Sequence, residues 1–120
     1  MRESLKRVEI IRRRREITAL RHYGTRIPGT ALSLCYRVQT DTAPTTPKRR
    51  IAFLLSARIK PAVVRNRLKR RLREIFRRNK SWFPPGFDYI IHAGTTAAEL
   101  DFTRLRDEVQ ELTTRMKNVN

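Results

Sequence analysis

The sequence contains few of the residues on which disulfides and membrane spans depend. Cys35 is the one cysteine among 120 residues, so no disulfide is expected within the chain, and a reducing compartment, by default the cytoplasm, is predicted. The longest apolar run, Ile51–Leu55, is far shorter than the roughly 20 residues of a membrane helix. We therefore expect no membrane partner.

Residues suited to protein-based hydrolysis are also scarce. A nuclease site within the chain would need several carboxylates or histidines that converge to hold a metal ion or to move protons. His22 and His92 are isolated in the sequence, and Asp88, Glu99 and Asp101 are explained more simply by solvation or by helix capping. The sequence therefore predicts no catalytic residue and no metal site in the protein alone.

Acidic residues are few beside the basic ones. There are 28 Lys+Arg against 11 Asp+Glu, which gives a net charge of +17. The excess is confined to one part of the chain, because residues 1–80 hold 24 Lys+Arg and 5 Asp+Glu, whereas residues 81–120 hold 4 and 6. This distribution predicts a polyanionic partner that contacts the first two thirds of the chain.

Apolar periodicity predicts one domain, residues 1–120, in which helices pack on a small sheet. The expected elements are a helix at Leu5–Tyr23 that Gly24 ends, strands at Leu32–Val38, Ile51–Leu55 and Phe87–Ala93, a helix at Pro61–Asn79, and a last helix that Asp101 caps and that reaches Met116. A polar loop is expected at about 39–49. The fold class is therefore an α/β (α+β) two-layer sandwich, with a mixed sheet of about four strands and three helices.

The helix predicted at Pro61–Asn79 carries the most informative pattern. Its apolar residues fall in one sector at 100° per residue, and a narrow opposite sector is polar. Glu74 is the one acid against nine Lys+Arg in residues 65–80. Guanidinium groups one turn apart match phosphates bidentately, so the pattern favours nucleic-acid binding over a merely solvated face. The polar sector contains Asn66, Arg70, Arg73 and Arg77.

The amino-acid sequence of Ala62–Phe76, AVVRNRLKRRLREIF, resembles the signature motif of the protein subunit of bacterial ribonuclease P, with Arg65-Asn66-Arg67 at its centre. The resemblance extends over most of the chain, because Arg14–Gly24, Phe87–Ala93 and Leu100–Met116 are similar to the family's first helix, last strand and final helix. A motif of this length is much more specific than a lone glycine-rich loop.

The resemblance implies a protein without an active site of its own, bound to a catalytic RNA that removes the 5′ leader from precursor tRNA with Mg²⁺. No further protein partner is required, and residues 1–12 are expected to become ordered only on RNA. The resemblance also implies an uncommon left-handed crossover connection between two parallel strands through the basic helix. The RNA-binding residues carried over by position, together with the last arginine of the polar sector, are Arg65, Asn66, Arg67, Lys69, Arg70, Arg73 and Arg77.

The resemblance further implies that a cleft between the sheet and the first helix holds the single-stranded leader. Here the chain departs from the family, because Ile17 and Arg21 stand where two phenylalanines are usual, and Ala57 and Gly94 stand where basic residues are common. The leader contact is expected to shift toward other cations and Tyr36. The candidate residues are Ile17, Arg21, Tyr36, Arg50, Arg58 and Lys60, with Lys48 and Arg49 beside them.

Two other classes share parts of this pattern. A structural RNA-binding protein of ribosomal type would have a similar size and charge, and a DNA-binding regulator could place a basic helix in the major groove. Neither class explains the specific sequence motif of Arg65–Phe76. If the chain stimulates cleavage of precursor tRNA, it is not merely a structural RNA-binding protein. If it prefers folded RNA over duplex DNA, it is not a DNA-binding regulator.

Overall fold

The computed structural model describes residues 9–40 and 43–119. The elements in chain order are α1 (Arg14–Tyr23), β1 (Thr25–Pro28), β2 (Leu32–Val38), β3 (Arg49–Leu55), α2 (Ala62–Arg78), β4 (Phe87–Ala93) and α3 (Phe102–Val119), with short 3-10 turns at Lys80–Trp82 and Thr95–Glu99. Three helices and a four-stranded mixed sheet confirm the predicted fold class. None of the described helices is long and apolar enough to span a membrane.

The sheet has the strand order β1-β2-β4-β3. The β1–β2 and β2–β4 pairs are antiparallel, whereas β3 and β4 are parallel and are joined by α2. Parallel neighbours require such a crossover because a tight turn cannot return the chain to the same end of the sheet. The left-handedness of this crossover stays a prediction from the resemblance.

The two faces of the sheet pack against different helices, because side chains alternate along each strand. Leu34, Ile51 and Ile91 face the large core beneath α2 and α3. On the opposite face, α1 packs against Ala52 and Ile90 through a smaller cluster. The helices thus form one full layer and one partial layer, and α1 leaves part of its face of the sheet open.

The first helix begins later than predicted. It starts at Arg14 rather than Leu5, and the predicted residues Leu5 to Val8 lie outside the described part of the chain. Ile10 instead forms a parallel bridge with Ile51, and the Ile11 N–H donates to the Ile51 carbonyl oxygen at 2.8 Å. This pairing is favoured because β3 is an edge strand whose backbone groups need hydrogen-bond partners. A helix that began earlier would also contain all of Arg12–Arg15, whose like charges repel one another.

The remaining elements agree closely with the predicted ones. α2 spans Ala62–Arg78 after Pro61, and the Asp101 carboxylate accepts the Arg104 N–H at 2.9 Å, which confirms the predicted cap of α3. The sequence located three of the about four strands that were predicted, and the fourth strand is β1. Its alternation is weak because Ile27 is the one buried side chain of its four residues.

Candidate RNA-binding interface

The α2 helix presents a continuous basic face to solvent. Its apolar side is held in the core by Leu68, Leu72, Ile75 and Phe76, which recur at three- and four-residue steps. That packing fixes the rotation of the helix, so the opposite residues must face outward. The exposed polar residues are Asn66, Arg67, Arg70 and Arg73, and Lys69 is half-buried.

The one carboxylate of α2 is neutralised at the end of the helix. Glu74 accepts hydrogen bonds from Arg77 Nε at 2.9 Å and from Arg78 Nε at 2.7 Å. The Arg77 hydrogen bond, followed by that of Arg78, lowers the pKa of Glu74 to about 2. Arg70 and Arg73 form no ion pair within the described residues, so their charge is left for a partner.

Arg65 has an internal role at the start of α2. Its Nη1 donates to the carbonyl oxygens of Ser56 at 2.6 Å and Ile59 at 3.3 Å. These bonds tie the joint of residues 56–61 to the helix. Arg58 and Lys60, both exposed on this joint, are thereby held beside the N-terminal end of the basic face.

A cavity of about 350 Å³ lies on the part of the sheet that α1 leaves open. α1, β1 and all three other strands contribute to it, because the pairing register aligns their outward side chains. We call it the sheet cleft. Its lining residues are Arg21, Arg26, Ser33, Cys35, Leu54, Ile90 and His92.

The chemistry of the sheet cleft suits an anionic strand. Burial first, and then the charges of Arg21 and Arg26, lower the pKa of His92, so its imidazole is mainly neutral at pH 7. Burial also raises the pKa of the Cys35 thiol, which donates to the Leu20 carbonyl oxygen at 3.4 Å. The cleft therefore combines two guanidinium groups with neutral hydrogen-bonding groups, and Cys35 is not an activated nucleophile.

The predicted leader residues are only partly brought together. Arg21 lines the sheet cleft, whereas Ile17 packs in the small cluster beneath α1. Arg50 lies on the same sheet face, where the hydrogen bonds that its guanidinium donates to Asp88 and to Glu16 raise its pKa. These ion pairs, at 3.0 Å and 2.6 Å, engage Arg50 within the protein.

Tyr36 is not in the sheet cleft. It is 5% exposed and points to the core side of β2, with its ring 5.8 Å from that of Phe87. The alternation of β2 places Tyr36 with Leu34, and places Ser33 and Cys35 on the cleft face. The structure thus separates Tyr36 from the leader residues with which the sequence grouped it.

Of the cleft's seven lining residues only Arg21 was predicted, and the polar residues that sequence reasoning missed are Arg26, Ser33, Cys35 and His92. From the sequence, Cys35 was interpreted as an ordinary strand residue and His92 as an isolated histidine. Alternation along β2 and β4 was the available signal, because it puts Ser33, Cys35 and His92 on one face once the strands are paired. The missing information was the register.

An exposed basic helix and a cationic cleft on the other face of the sheet are typical of a small nucleic-acid-binding protein of the α+β class. Within residues 9–40 and 43–119, no three His, Cys, Asp or Glu side chains come together as metal ligands would. A family model described as Ribonuclease P matches residues 5–117, and the chain belongs to this family.

Relatives and solved structures agree with that membership. The ribonuclease P protein component of Pseudanabaena sp. (strain PCC 6903) is 32% identical over 108 residues, covering 89% of this chain and 90% of the relative. The component from Thermobifida fusca (strain YX) is 39% identical over 100 residues, covering 79% and 67%. The ribonuclease P protein from Thermotoga maritima has a TM-score of 0.77 at 28% identity, covering 89% of this chain and 96% of that chain.

The likeness to a more distant structure concerns the fold. The Staphylococcus aureus ribonuclease P protein has a TM-score of 0.80 at 19% identity, with coverage of 93% and 98%. Family membership makes this chain the protein component of a ribonucleoprotein endoribonuclease. Its partners are the RNA subunit and precursor tRNA, and its role is in maturation of the tRNA 5′ end.

Proposed function

We propose that the basic face of α2 binds the catalytic RNA while the sheet cleft holds the 5′ leader of precursor tRNA, and that cleavage is carried out by the RNA. The observation that carries the first part is the exposed set of Asn66, Arg67, Arg70 and Arg73, with which no carboxylate of residues 9–40 and 43–119 forms an ion pair. The protein then acts by positioning two RNAs rather than by supplying reacting groups.

The α2 face contributes through geometry as well as charge. Arg70 and Arg73 lie one turn apart, so their planar forks can hold phosphates along one RNA segment. Asn66 precedes Arg70 by four residues and can bond a phosphate, a sugar hydroxyl or a base edge. Arg65 acts partly by holding the joint, so its replacement would disturb both the joint and the RNA contact.

The sheet cleft supports leader binding without aromatic stacking on its floor. Arg21 and Arg26 supply cations for phosphates, and Ser33 and His92 supply hydrogen-bonding groups for sugars or base edges. Arg58 and Lys60 on the joint extend the positive surface toward α2. This arrangement keeps the leader next to the catalytic RNA that α2 contacts.

The proposed cofactor is Mg²⁺ held mainly by the RNA subunit, where it supplies the charge stabilisation that phosphodiester hydrolysis needs. The contribution of this chain is a fixed cationic surface that reduces repulsion between the phosphates of two RNAs. We infer that the complex works in the cytoplasm, where a reducing environment suits the single Cys35 thiol.

A binding comparison tests this proposal. The catalytic RNA with this chain is titrated with precursor tRNA carrying a full leader, a shortened leader or none, at one stated salt concentration. We expect affinity to fall as the leader is removed, and expect Arg21→Ala to reduce the leader-dependent part alone. Tight RNA binding without any leader dependence would instead favour a structural RNA-binding protein of ribosomal type.

A further inference from the structure

A network of charged side chains joins α1 to the sheet, on the sheet face that carries the cleft. Arg50 of β3 donates from Nε and Nη2 to the two carboxylate oxygens of Asp88 on β4, at 3.1 and 3.0 Å. The same Nη2 donates to the Glu16 carboxylate of α1 at 2.6 Å. One guanidinium therefore connects two neighbouring strands with the first helix.

Asp88 fixes the direction in which Arg50 points. A bidentate pair holds the guanidinium in one plane, so Arg50 needs little further ordering to reach Glu16. Asp88 is itself held, because Gln39 Nε2 donates to its Oδ1 at 3.1 Å. The side chains of Arg50 and Asp88 are 21% and 20% exposed, and that of Glu16 is 34% exposed, so solvent screens this network less than a fully exposed ion pair.

The first turn of α1 has few other contacts that would hold it against the sheet. Leu20 is the one buried side chain of α1, all of whose residues the structure describes, and it lies toward the far end. Arg14 and Arg15 carry like charges that repel one another, and Glu16 is the one acidic residue of this turn. Its contact with Arg50 is the only side-chain hydrogen bond that α1 donates or accepts across the described residues.

The position of α1 decides where one wall of the sheet cleft lies. Arg21 lines the cleft and follows Glu16 by five residues, which is about 7.5 Å along the helix axis. Near Arg21, the Cys35 thiol donates to the Leu20 carbonyl oxygen at 3.4 Å. α1 is thus held at two points, and release of Glu16 would let the helix rotate about Leu20 and displace Arg21.

We propose that Arg50 and Glu16 are positioning residues, whose ion pair fixes α1 on the sheet so that Arg21 lies where the sheet cleft binds the precursor tRNA leader. This proposal rests on the proposed function, which assigns the leader to that cleft. Arg50 then acts through Arg21, whereas the sequence grouped Arg50 with the residues that contact the leader. The two roles predict opposite effects when Glu16 loses its charge.

The test measures binding of precursor tRNA, with and without its leader, to the full chain in complex with catalytic RNA. Glu16→Gln makes the chain more positive and frees Arg50 from one partner, so a direct contact between Arg50 and the leader predicts tighter binding. Positioning predicts the reverse: affinity for leader-bearing precursor should fall about 2- to 5-fold, and affinity for leaderless tRNA should not fall.

The matched control is Glu111→Gln, which removes an exposed carboxylate of α3 that forms no ion pair within the described residues. It should leave the leader-dependent part of the affinity unchanged. A double-mutant cycle adds Arg50→Gln, and in that background Glu16→Gln should have no further effect on leader-dependent affinity. Glu16 is partly exposed, so Glu16→Gln should stay folded, which thermal unfolding checks.

The outcomes separate this proposal from the proposed function. If the wild-type complex shows leader-dependent affinity and Glu16→Gln binds the leader more tightly, or changes only as much as Glu111→Gln, the positioning role is overturned while the proposed function stands. A Glu16→Gln loss of equal size with leaderless tRNA would also overturn the positioning role. Absence of any leader dependence in the wild type would overturn both.

Discussion

Replacing Arg70 or Arg73 with alanine is predicted to weaken RNA binding in a salt-dependent way. Each guanidinium is exposed and forms no ion pair in the described structure, so each can neutralise about one phosphate. Hydrogen bonds to charged groups contribute about 1.5–3 kcal/mol, which corresponds to roughly 10- to 150-fold in affinity. The plot of log affinity against log salt should become shallower by about 0.7–0.9 per arginine, and by about twice that in the double variant.

The matched control is Arg78→Ala on the same helix. Arg78 donates to Glu74 at 2.7 Å and lies over the Phe102 ring at 6.0 Å, so its charge is used within the protein. Filter binding or fluorescence anisotropy with catalytic RNA at several salt concentrations gives the slopes. An unchanged slope for Arg70→Ala, or an equal change for Arg78→Ala, would refute the assignment of this face. The free energy of unfolding should change by less than about 0.5 kcal/mol in Arg70→Ala and Arg73→Ala, and by about 0.5–1.5 kcal/mol in Arg78→Ala, which loses its internal contacts.

Three further predictions concern the core, a close contact and pH. Leu72→Ala should lower the free energy of unfolding by about 2–5 kcal/mol in denaturant titrations, because Leu72 is 0% exposed; a change below about 1 kcal/mol would contradict this packing. Gly24→Ala should destabilise the fold by about 1–3 kcal/mol, since its Cβ would lie 2.4 Å from the Leu20 carbonyl oxygen, whereas Gly94→Ala, with 3.5 Å to its nearest atom, should change stability little; equal thermal shifts would disprove the contact. The lowered pKa of His92 means that its neutral form is favoured in the fold, so this contribution to stability is full above about pH 6.5 and is lost as the pH falls through the lowered pKa, while the added charge strengthens leader binding. NMR titration of the imidazole and leader affinity against pH, with His92→Gln as control, check this, and an imidazole that titrates above its usual pKa would contradict it.

The basic helix could be predicted from sequence because its information is local. Pro61, the spacing of Leu68, Leu72 and Phe76, and the opposing arginines together set its limits and its rotation. The same local reasoning failed at the start of α1, where a long-range pairing between Ile10 and β3 replaces the helix. Helix propensity cannot reveal that an edge strand about forty residues later in the chain will pair with this segment, as the bridge between Ile10 and Ile51 illustrates.

Predicting the sheet cleft from the sequence would have required the strand register, which the alternation of side chains along one strand does not contain. Alternation showed that Ser33 and Cys35 share a face, but not that His92 on β4 lies opposite Ser33, or that Arg26 lies opposite Cys35. Those pairings follow from the register of three strands. Tyr36 was grouped with the leader residues by its chemical type, and its parity on β2 places it in the core.

The most direct test of the proposed function is multiple-turnover cleavage of a precursor tRNA by a bacterial catalytic RNA at low Mg²⁺ and stated salt, with and without this chain. We expect the chain to raise cleavage at the mature 5′ end, and we expect this gain to shrink when the leader is trimmed. Tight binding to the RNA with no gain in cleavage would contradict it.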